Sequence, residues 1–405
     1  VINQAVHEKY RSSKLGRVPS DWQDVKFADM FDERREFTND TEKYPLYSLT
    51  IEEGVTPKTE RYERSYLIKK IEDNFKIVRK DDFVYNPMNL RFGSIARHKE
   101  ENEVCVSGYY NVFKIKNGYS PVFIEHYLKS ERMMYLYNSI ATGSLKEKQR
   151  VHFSQFLELE LPMPSVKESE KIADILSTWD KAIELKKNLI EQKKEQKKGL
   201  MQRLLTGEVR LPGFKGEWKE VRLGEVLKER KETGHVHLEL LAITAQRGIV
   251  RRDEVDIKDN SSEDKSKYKR IMPLDIGYNT MRMWQGVSGV SKYEGIVSPA
   301  YTVLKPTDKV DSYFMGYLFK LPKVIDKFRR YSQGLVDDTL NLKYENFKVI
   351  KVRIPQDVNE QKAIAQILIC VDKEIEFLEK ELEALKQQKK GLMQLLLTGK
   401  IRVKC

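Results

Sequence analysis

The chain has 405 residues, too many for one ordinary domain and enough to bury more than one core. Hydrophobic residues make up 40% and charged residues 33%, a globular profile rather than a disordered one, and nowhere do about 18 apolar residues follow one another as a membrane span needs. Lysine and arginine outnumber acidic residues 73 to 61, and the resulting +12 suits a polyanionic partner or a set of lysine-rich solvated helices.

Residues 1–21 read as a charged N-terminal helical segment, without the apolar run of an export signal. Residues 22–164 read as a globular domain. Short apolar or alternating runs at Phe83-Val84-Tyr85, Val112-Phe113-Lys114-Ile115 and Leu157-Glu158-Leu159-Glu160-Leu161 predict strands, and the pattern around Pro121 to Tyr137 predicts a helix. Residues 165–207 switch to a heptad pattern through Ile172, Leu176, Trp179, Ile183, Lys186, Ile190, Lys193, Lys197, Leu200 and Leu204. A second globular domain follows over residues 208–355, with helical patterning around Ser312 to Arg330. Residues 356–405 then give a second heptad helix and a tail, its seam running through Ile364, Leu368, Val371, Ile375, Leu378, Leu382, Leu385, Lys389, Leu392 and Leu396. Gly207 and Gly399 stand where helix stops are expected, which gives each helix roughly 38 residues, or about 55 Å. Three lysines in the first seam disfavour self-pairing of that helix. Cys105, Cys370 and Cys405 lie too far apart for a disulfide framework or a metal knuckle, so the cytoplasm is the expected location.

The chain is a duplication. Lys197-Lys198-Gly199-Leu200-Met201-Gln202 recurs as Lys389-Lys390-Gly391-Leu392-Met393-Gln394, a shift of 192, and Leu205-Thr206-Gly207 recurs as Leu397-Thr398-Gly399. Upstream, Trp22 answers Trp218, Leu49-Thr50-x-x-x-Gly54 answers Ile243-Thr244-x-x-x-Gly248, and Tyr85-Asn86-x-Met88 answers Tyr278-Asn279-x-Met281. The expected fold is therefore α+β: two similar globular domains joined by two long antiparallel coiled-coil helices, with a pseudo-twofold repeat.

Pro19-Ser20-Asp21-Trp22, Pro212-Gly213-Phe214-x-Gly216-Glu217-Trp218, the prolines Pro164 and Pro355 before Ser169-Glu170-Lys171 and Asn359-Glu360-Gln361-Lys362, and the doubled Lys-Lys-Gly-Leu-Met-Gln together cover the full chain. In their duplicated order they resemble the specificity subunit of type I restriction-modification enzymes. That resemblance implies two target-recognition domains, each reading half of a bipartite site in double-stranded DNA. It implies helices that act as a ruler, and about 55 Å of helix matches roughly 16 base pairs. It also implies two methyltransferase subunits docking on the helices and translocase-endonuclease subunits joining for cleavage, so that S-adenosylmethionine, ATP and Mg²⁺ belong to the partners and not to this chain. The alternative is a coiled-coil adaptor that bridges protein partners without reading bases.

Base-reading candidates lie where the two copies keep a frame and change its chemistry. Glu52-Glu53 is replaced by Gln246-Arg247 before the equivalent glycines. Asn89-Leu90-Arg91-Phe92 is replaced by Arg282-Met283-Trp284-Gln285, so that Asn89, Arg91, Arg282, Trp284 and Gln285 join the list. Carboxylates accept from cytosine, glutamine suits adenine and arginine suits guanine. Arg97, Lys99, Arg251, Arg252, Lys269 and Arg270 are candidates for phosphate contacts, and the lysine-rich stretch from Lys186 to Lys198 either meets DNA or forms a solvated face with Glu184 and Glu191.

Catalytic machinery is not expected. Tyr85-Asn86-Pro87-Met88 matches only half of an adenine-methyltransferase loop, and Tyr278-Asn279-Thr280-Met281 lacks its proline, so both read as strand ends. No Walker-type phosphate loop occurs. Asp256-Ile257-Lys258 is the kind of short acidic-lysine string that arises by chance, and His235 and His237 lack ligand partners at metal spacing.

Overall fold

A computed structural model describes residues 2–3, 10–58, 74–116, 118–145, 148–255 and 262–404. Two units emerge, the first from residues 1–186 and 381–405, the second from residues 187–380. Asp256 and Lys258 lie outside the described residues, as does Cys405.

The first unit is built on a four-stranded antiparallel sheet in the order Ile95–Arg97, Phe83–Tyr85, Asn111–Ile115, Phe31–Glu33. Its central strand is buried on both faces, so the two-residue period sorts its side chains between two cores. Phe83 and Tyr85 enter an aromatic cluster with Phe27, Phe31, Phe113 and Phe156, while Val84 enters a largely aliphatic cluster with Leu49, Val104 and Val112. The second unit repeats the plan with the sheet Leu227–Glu229, Tyr301–Pro306, Ile276–Asn279, Ser288–Val290. Tyr278 faces the aromatic side with Phe319, Phe328 and Phe347. On its other face Gly277 replaces Val84, because Ile243, Ile249 and Ile271 already fill that space: a Cβ on Gly277 would lie 2.7 Å from Ile243 Cδ1.

Four expectations are corrected. Of the N-terminal segment, expected as helical over residues 1–21, the described residues from Tyr10 to Pro19 form a hairpin of Tyr10–Ser13 and Gly16–Pro19, turned by Lys14-Leu15 with Gly16 at φ +89°. The helix expected over Pro121 to Tyr137 is two helices, Pro121–Leu128 and Glu131–Ile140, because Ser130 caps the second by accepting from the Met133 N–H. The run from Ser312 likewise splits into Ser312–Leu318 and Pro322–Tyr331, since Pro322 starts a helix but cannot continue one. Leu157 ends a short helix, Phe153–Leu157, instead of opening a strand; Phe153 and Phe156 share its buried face, and the strand begins at Glu160.

The two long helices are Val166–Thr206 and Val358–Leu396, and each contributes one part to each unit. Every seam residue named above is buried or half-buried. In the second unit the seam lysines pair with carboxylates in antiparallel register: Lys193 with Glu374 at 2.7 Å and Lys197 with Asp372 at 2.6 Å. In the first unit Lys186 meets Glu381 at 3.1 Å and Lys389 meets Asp180, which also accepts from His126 at 3.0 Å. These pairs explain how lysine tolerates a seam: its stem packs while its charge is matched. Lys194 is paired with Glu191 and Glu379, so much of the lysine-rich stretch is internally neutralised.

Each unit is closed by the same clamp at a helix start. Glu168 accepts from Trp22 Nε1 at 3.2 Å and from Arg402 Nε at 2.6 Å; Glu360 accepts from Trp218 Nε1 at 3.3 Å and from Arg210 Nε at 2.6 Å. Gly207 and Gly399, both at positive φ, end the helices beside Trp218 and Trp22, where a Cβ would lie 3.1 Å from the Trp218 ring and 2.4 Å from Pro19, respectively.

Candidate nucleic-acid interface

The repeated dipeptides turn out to be turn closures. Thr50 and Thr244 each accept, through Oγ1, the backbone N–H three residues on, from Glu53 and Arg247 at 3.0 Å. Gly54 and Gly248 then take positive φ, giving three-residue hairpin tips between Tyr47–Thr50 and Gly54–Pro57 and between Leu241–Thr244 and Gly248–Arg251. Asn86 and Asn279 accept from the N–H of Met88 and Met281 at 3.1 and 3.0 Å, closing Asx turns. These launch single 3-10 turns, Leu90–Phe92 and Met283–Gln285, that end on the left-handed Gly93 and Gly286. Tyr85 and Tyr278 are buried and donate to the carbonyls of Val151 and Leu342, at 3.3 and 3.0 Å. The half-match to a methyltransferase loop is thus a structural strand end.

Within each unit the hairpin tip lies beside the 3-10 turn or the strand that leaves it. In the first unit a Cβ on Gly93, which ends the turn, would touch Ile51 of the tip at 3.9 Å; in the second the tip lies against the strand that follows the turn, where a Cβ on Gly289 would meet Gly248 at 2.8 Å. A third segment lies against the turn in each unit: residues 142–145 and 148–150, whose Gln149 accepts from Arg91, and residues 333–341, whose Asp338 lies 3.9 Å from Arg282. Each is pinched by an isolated antiparallel bridge, Thr142 to Arg150 and Gln333 to Asn341, and each carries a glycine with φ near +150°, Gly143 and Gly334. The pairing of two such glycines on otherwise unlike segments was the available signal.

The reading candidates fall into two groups. Glu52, Glu53, Gln246 and Arg247 stand exposed on the tips, and Asn89, Arg282 and Gln285 on the turns. Trp284 is half-buried, donates to the Met281 carbonyl at 3.1 Å and carries the Arg329 guanidinium 5.6 Å from its ring centre. Arg91 does not project: it is only 9% exposed, donates to Gln149 Oε1 at 2.7 Å and lies over the Phe92 ring at 4.7 Å. Exposed Phe92 takes the outward position instead.

The phosphate candidates divide similarly. Lys99 and Arg251 are exposed, with Glu125 and Glu239 nearby at 3.3 and 3.5 Å, and Arg252 is half-exposed. Arg97 is held by Asp81 and Glu125, and Arg270 by Glu294 at 2.6 Å and Glu232 at 3.2 Å. Lys269 donates to the Tyr301 carbonyl at 2.7 Å, and burial depresses its ammonium below the usual range. These three bind the fold together and do not reach outward. Around Arg97, burial opposes ionisation of Glu125, yet Lys129, Lys99 and Arg97 together bring its carboxyl below the ordinary value. His235 and His237 stack edge to face at 6.1 Å, and the described residues contain no group of three metal-ligating side chains.

A family model described as the type I restriction modification DNA specificity domain matches residues 19–194 and 257–387, most of each unit. The chain belongs to this specificity family. The two matched regions fit two recognition domains. Among relatives, the type I restriction enzyme MjaX specificity subunit of Methanocaldococcus jannaschii is 24% identical over 98% of this chain and 97% of that protein. The MjaVIII specificity subunit of the same organism is 28% identical over 62% of this chain and 64% of that protein. In fold, the chain is similar to the S subunit of the type I restriction-modification system of M. genitalium, with a TM-score of 0.55 at 16% identity over 93% of this chain and 96% of that one. A chain from a type I restriction-modification assembly gives a TM-score of 0.53 at 16% identity, over 94% and 99% of the two chains. Family and fold thus agree with a mixed helix-and-sheet specificity protein. No helix among the described residues is long and apolar enough to cross a membrane.

Proposed function

We propose that each unit reads one half of a bipartite site in double-stranded DNA, with its three-segment rim as the reading surface. One observation carries the reading: the same rim occurs twice, closed by the same threonine, asparagine and glycine devices, but bearing Glu52, Glu53 and Phe92 in one unit and Gln246, Arg247, Arg282 and Trp284 in the other. A conserved backbone with unlike hydrogen-bonding groups is what two different half-sites require. The long helices set the number of unread base pairs and dock two methyltransferase subunits, and translocase-endonuclease subunits join them. S-adenosylmethionine, ATP and Mg²⁺ act on those partners in the cytoplasm, and this chain contributes no catalytic group.

The test is replacement of residues 215–355 by the matching segment of a relative, followed by single-molecule methylation mapping in cells carrying the system. One half-site changes and the other, with the spacer, stays. A site that changes in both halves rejects the assignment of one half to each unit, and no sequence preference at all in a gel shift with random DNA rejects DNA reading and leaves a protein-bridging adaptor.

A further inference from the structure

In both units the third segment grips the arginines of the rim. In the first, Gln149 of the 142–150 loop accepts from Arg91. In the second, Asp337 of the 333–341 loop pairs with Arg329 at 3.0 Å and Asp338 approaches Arg282 at 3.9 Å. Arg247, on the hairpin tip, is paired with Glu254 at 2.6 Å. Arg247, Arg282 and Arg329 thus each stand at the rim already matched to a carboxylate.

We propose that Asp337 and Asp338 are specificity-determining positioning residues: they fix Arg329 and Arg282 for base edges and cancel the attraction of both arginines for phosphate. The inference rests on the DNA-reading role of the rim. An unmatched surface arginine strengthens binding to any duplex, because phosphate attraction ignores sequence. A carboxylate held beside it removes most of that gain, while a guanidinium with fixed orientation still makes directed bonds to a guanine edge. The backbone that carries the two carboxylates is closed on itself. Gln333 and Asn341 exchange two backbone hydrogen bonds of 2.8 Å, and Thr339 Oγ1 donates to the Val336 carbonyl at 2.9 Å. The glycine is obligatory, since a Cβ on Gly334 would lie 2.6 Å from the Thr339 oxygen. Arg329 is further fixed by the Trp284 ring beneath it.

The experiment measures binding of the full chain to two duplexes by fluorescence anisotropy across salt concentrations, one duplex bearing the site found by methylation mapping and one scrambled. Wild type must first prefer the mapped duplex; if it does not, the DNA-reading role itself has failed. Given that preference, D337N/D338N tightens binding to the scrambled duplex about three- to tenfold and steepens its salt dependence by roughly one to two units of slope. The mapped duplex gains less, so discrimination falls, and D337E/D338E keeps the wild-type ratio. R282Q/R329Q, which does not depend on the loop variants folding, weakens the mapped duplex at least tenfold and leaves the scrambled one unchanged. Unaltered scrambled-duplex affinity in D337N/D338N, equal tightening on both duplexes, or equal weakening by R282Q/R329Q overturns the proposal.

Discussion

Arg210 forks onto Glu360, donating from Nε at 2.6 Å and from Nη2 at 2.8 Å, and 192 positions later Arg402 does the same to Glu168 at 2.6 and 2.9 Å. Both carboxylates are buried at the first turn of a long helix, where the helix dipole also favours a negative charge. Each bond joins the tail of one long helix to the head of the other within a single unit.

Removing the cation strands the anion. R210A leaves Glu360, with no exposed surface, against the Trp218 indole without its guanidinium partner, and should destabilise the second unit by about 3 kcal/mol. R210A/E360Q should recover most of that loss, because an amide tolerates burial where a lone carboxylate does not. Urea unfolding followed by tryptophan fluorescence checks both, and equal losses in the single and double variants would mean that Arg210 acts by packing.

The seam pairs have a direction that charge reversal exposes. K193E sets two carboxylates against each other at the Glu374 position and should lower stability by about 1 kcal/mol; E374K alone should do likewise, and K193E/E374K should restore most of it. Thermal melting of the four proteins closes the cycle. The half-exposed site keeps the coupling modest, so additivity of the single effects would show that the ion pair contributes nothing.

Lys320 gives a pH signature. The residue is half-buried, its ammonium donates to the carbonyls of Gly286 and Ser288 at 2.7 and 2.8 Å, and desolvation, with help from Lys197, pushes it from 10.5 down to about 8. Between those values the unfolded chain retains a proton that the folded chain has released, so unfolding takes up protons and this site makes stability rise with pH. Below about pH 8 both states are charged and the penalty of burying the charge is fully present. K320M should remove that rise from the difference between stability at pH 8 and at pH 10, measured by urea unfolding; a K320M profile parallel to wild type would show that Lys320 does not titrate there.

Packing around Gly277 predicts an asymmetry between the copies. G277V, which writes the residue of the first copy into the second, forces three extra heavy atoms against Ile243, Ile249 and Ile271 and should cost about 1 to 3 kcal/mol. Adding I243A should return part of it by opening the space. A tolerated G277V, judged by melting temperature, would show that the isoleucines can move aside.

How much of this was legible depended on whether a feature repeats locally. The heptad seams and the Gly207 and Gly399 stops were visible because helix periodicity is written in consecutive residues. The positions of the hairpin tips and 3-10 turns are marked by threonine, asparagine and glycine repeated at fixed spacing, but the turns themselves are visible only in the structure. Their third neighbour was not found, since loops 142–150 and 333–341 share little beyond Gly143 and Gly334, and what they hold lies far off in sequence. The same blindness affected the cations. Arg97, Lys269 and Arg270 look free in the sequence, because Glu125, Tyr301, Glu294 and Glu232 reach them only through the fold. The N-terminal hairpin was missed for a different reason: Tyr10–Ser13 is short and mixed in polarity, and its partner strand supplies the order.

The clamps also impose an order of events during synthesis. Glu360 finds Arg210 already made, whereas Glu168 must wait for Arg402, 234 residues downstream. At about 5 to 20 residues per second that interval is on the order of ten to fifty seconds. During it the anion at the head of the first long helix has no arginine to be buried with, so the domain translated first is the last to close.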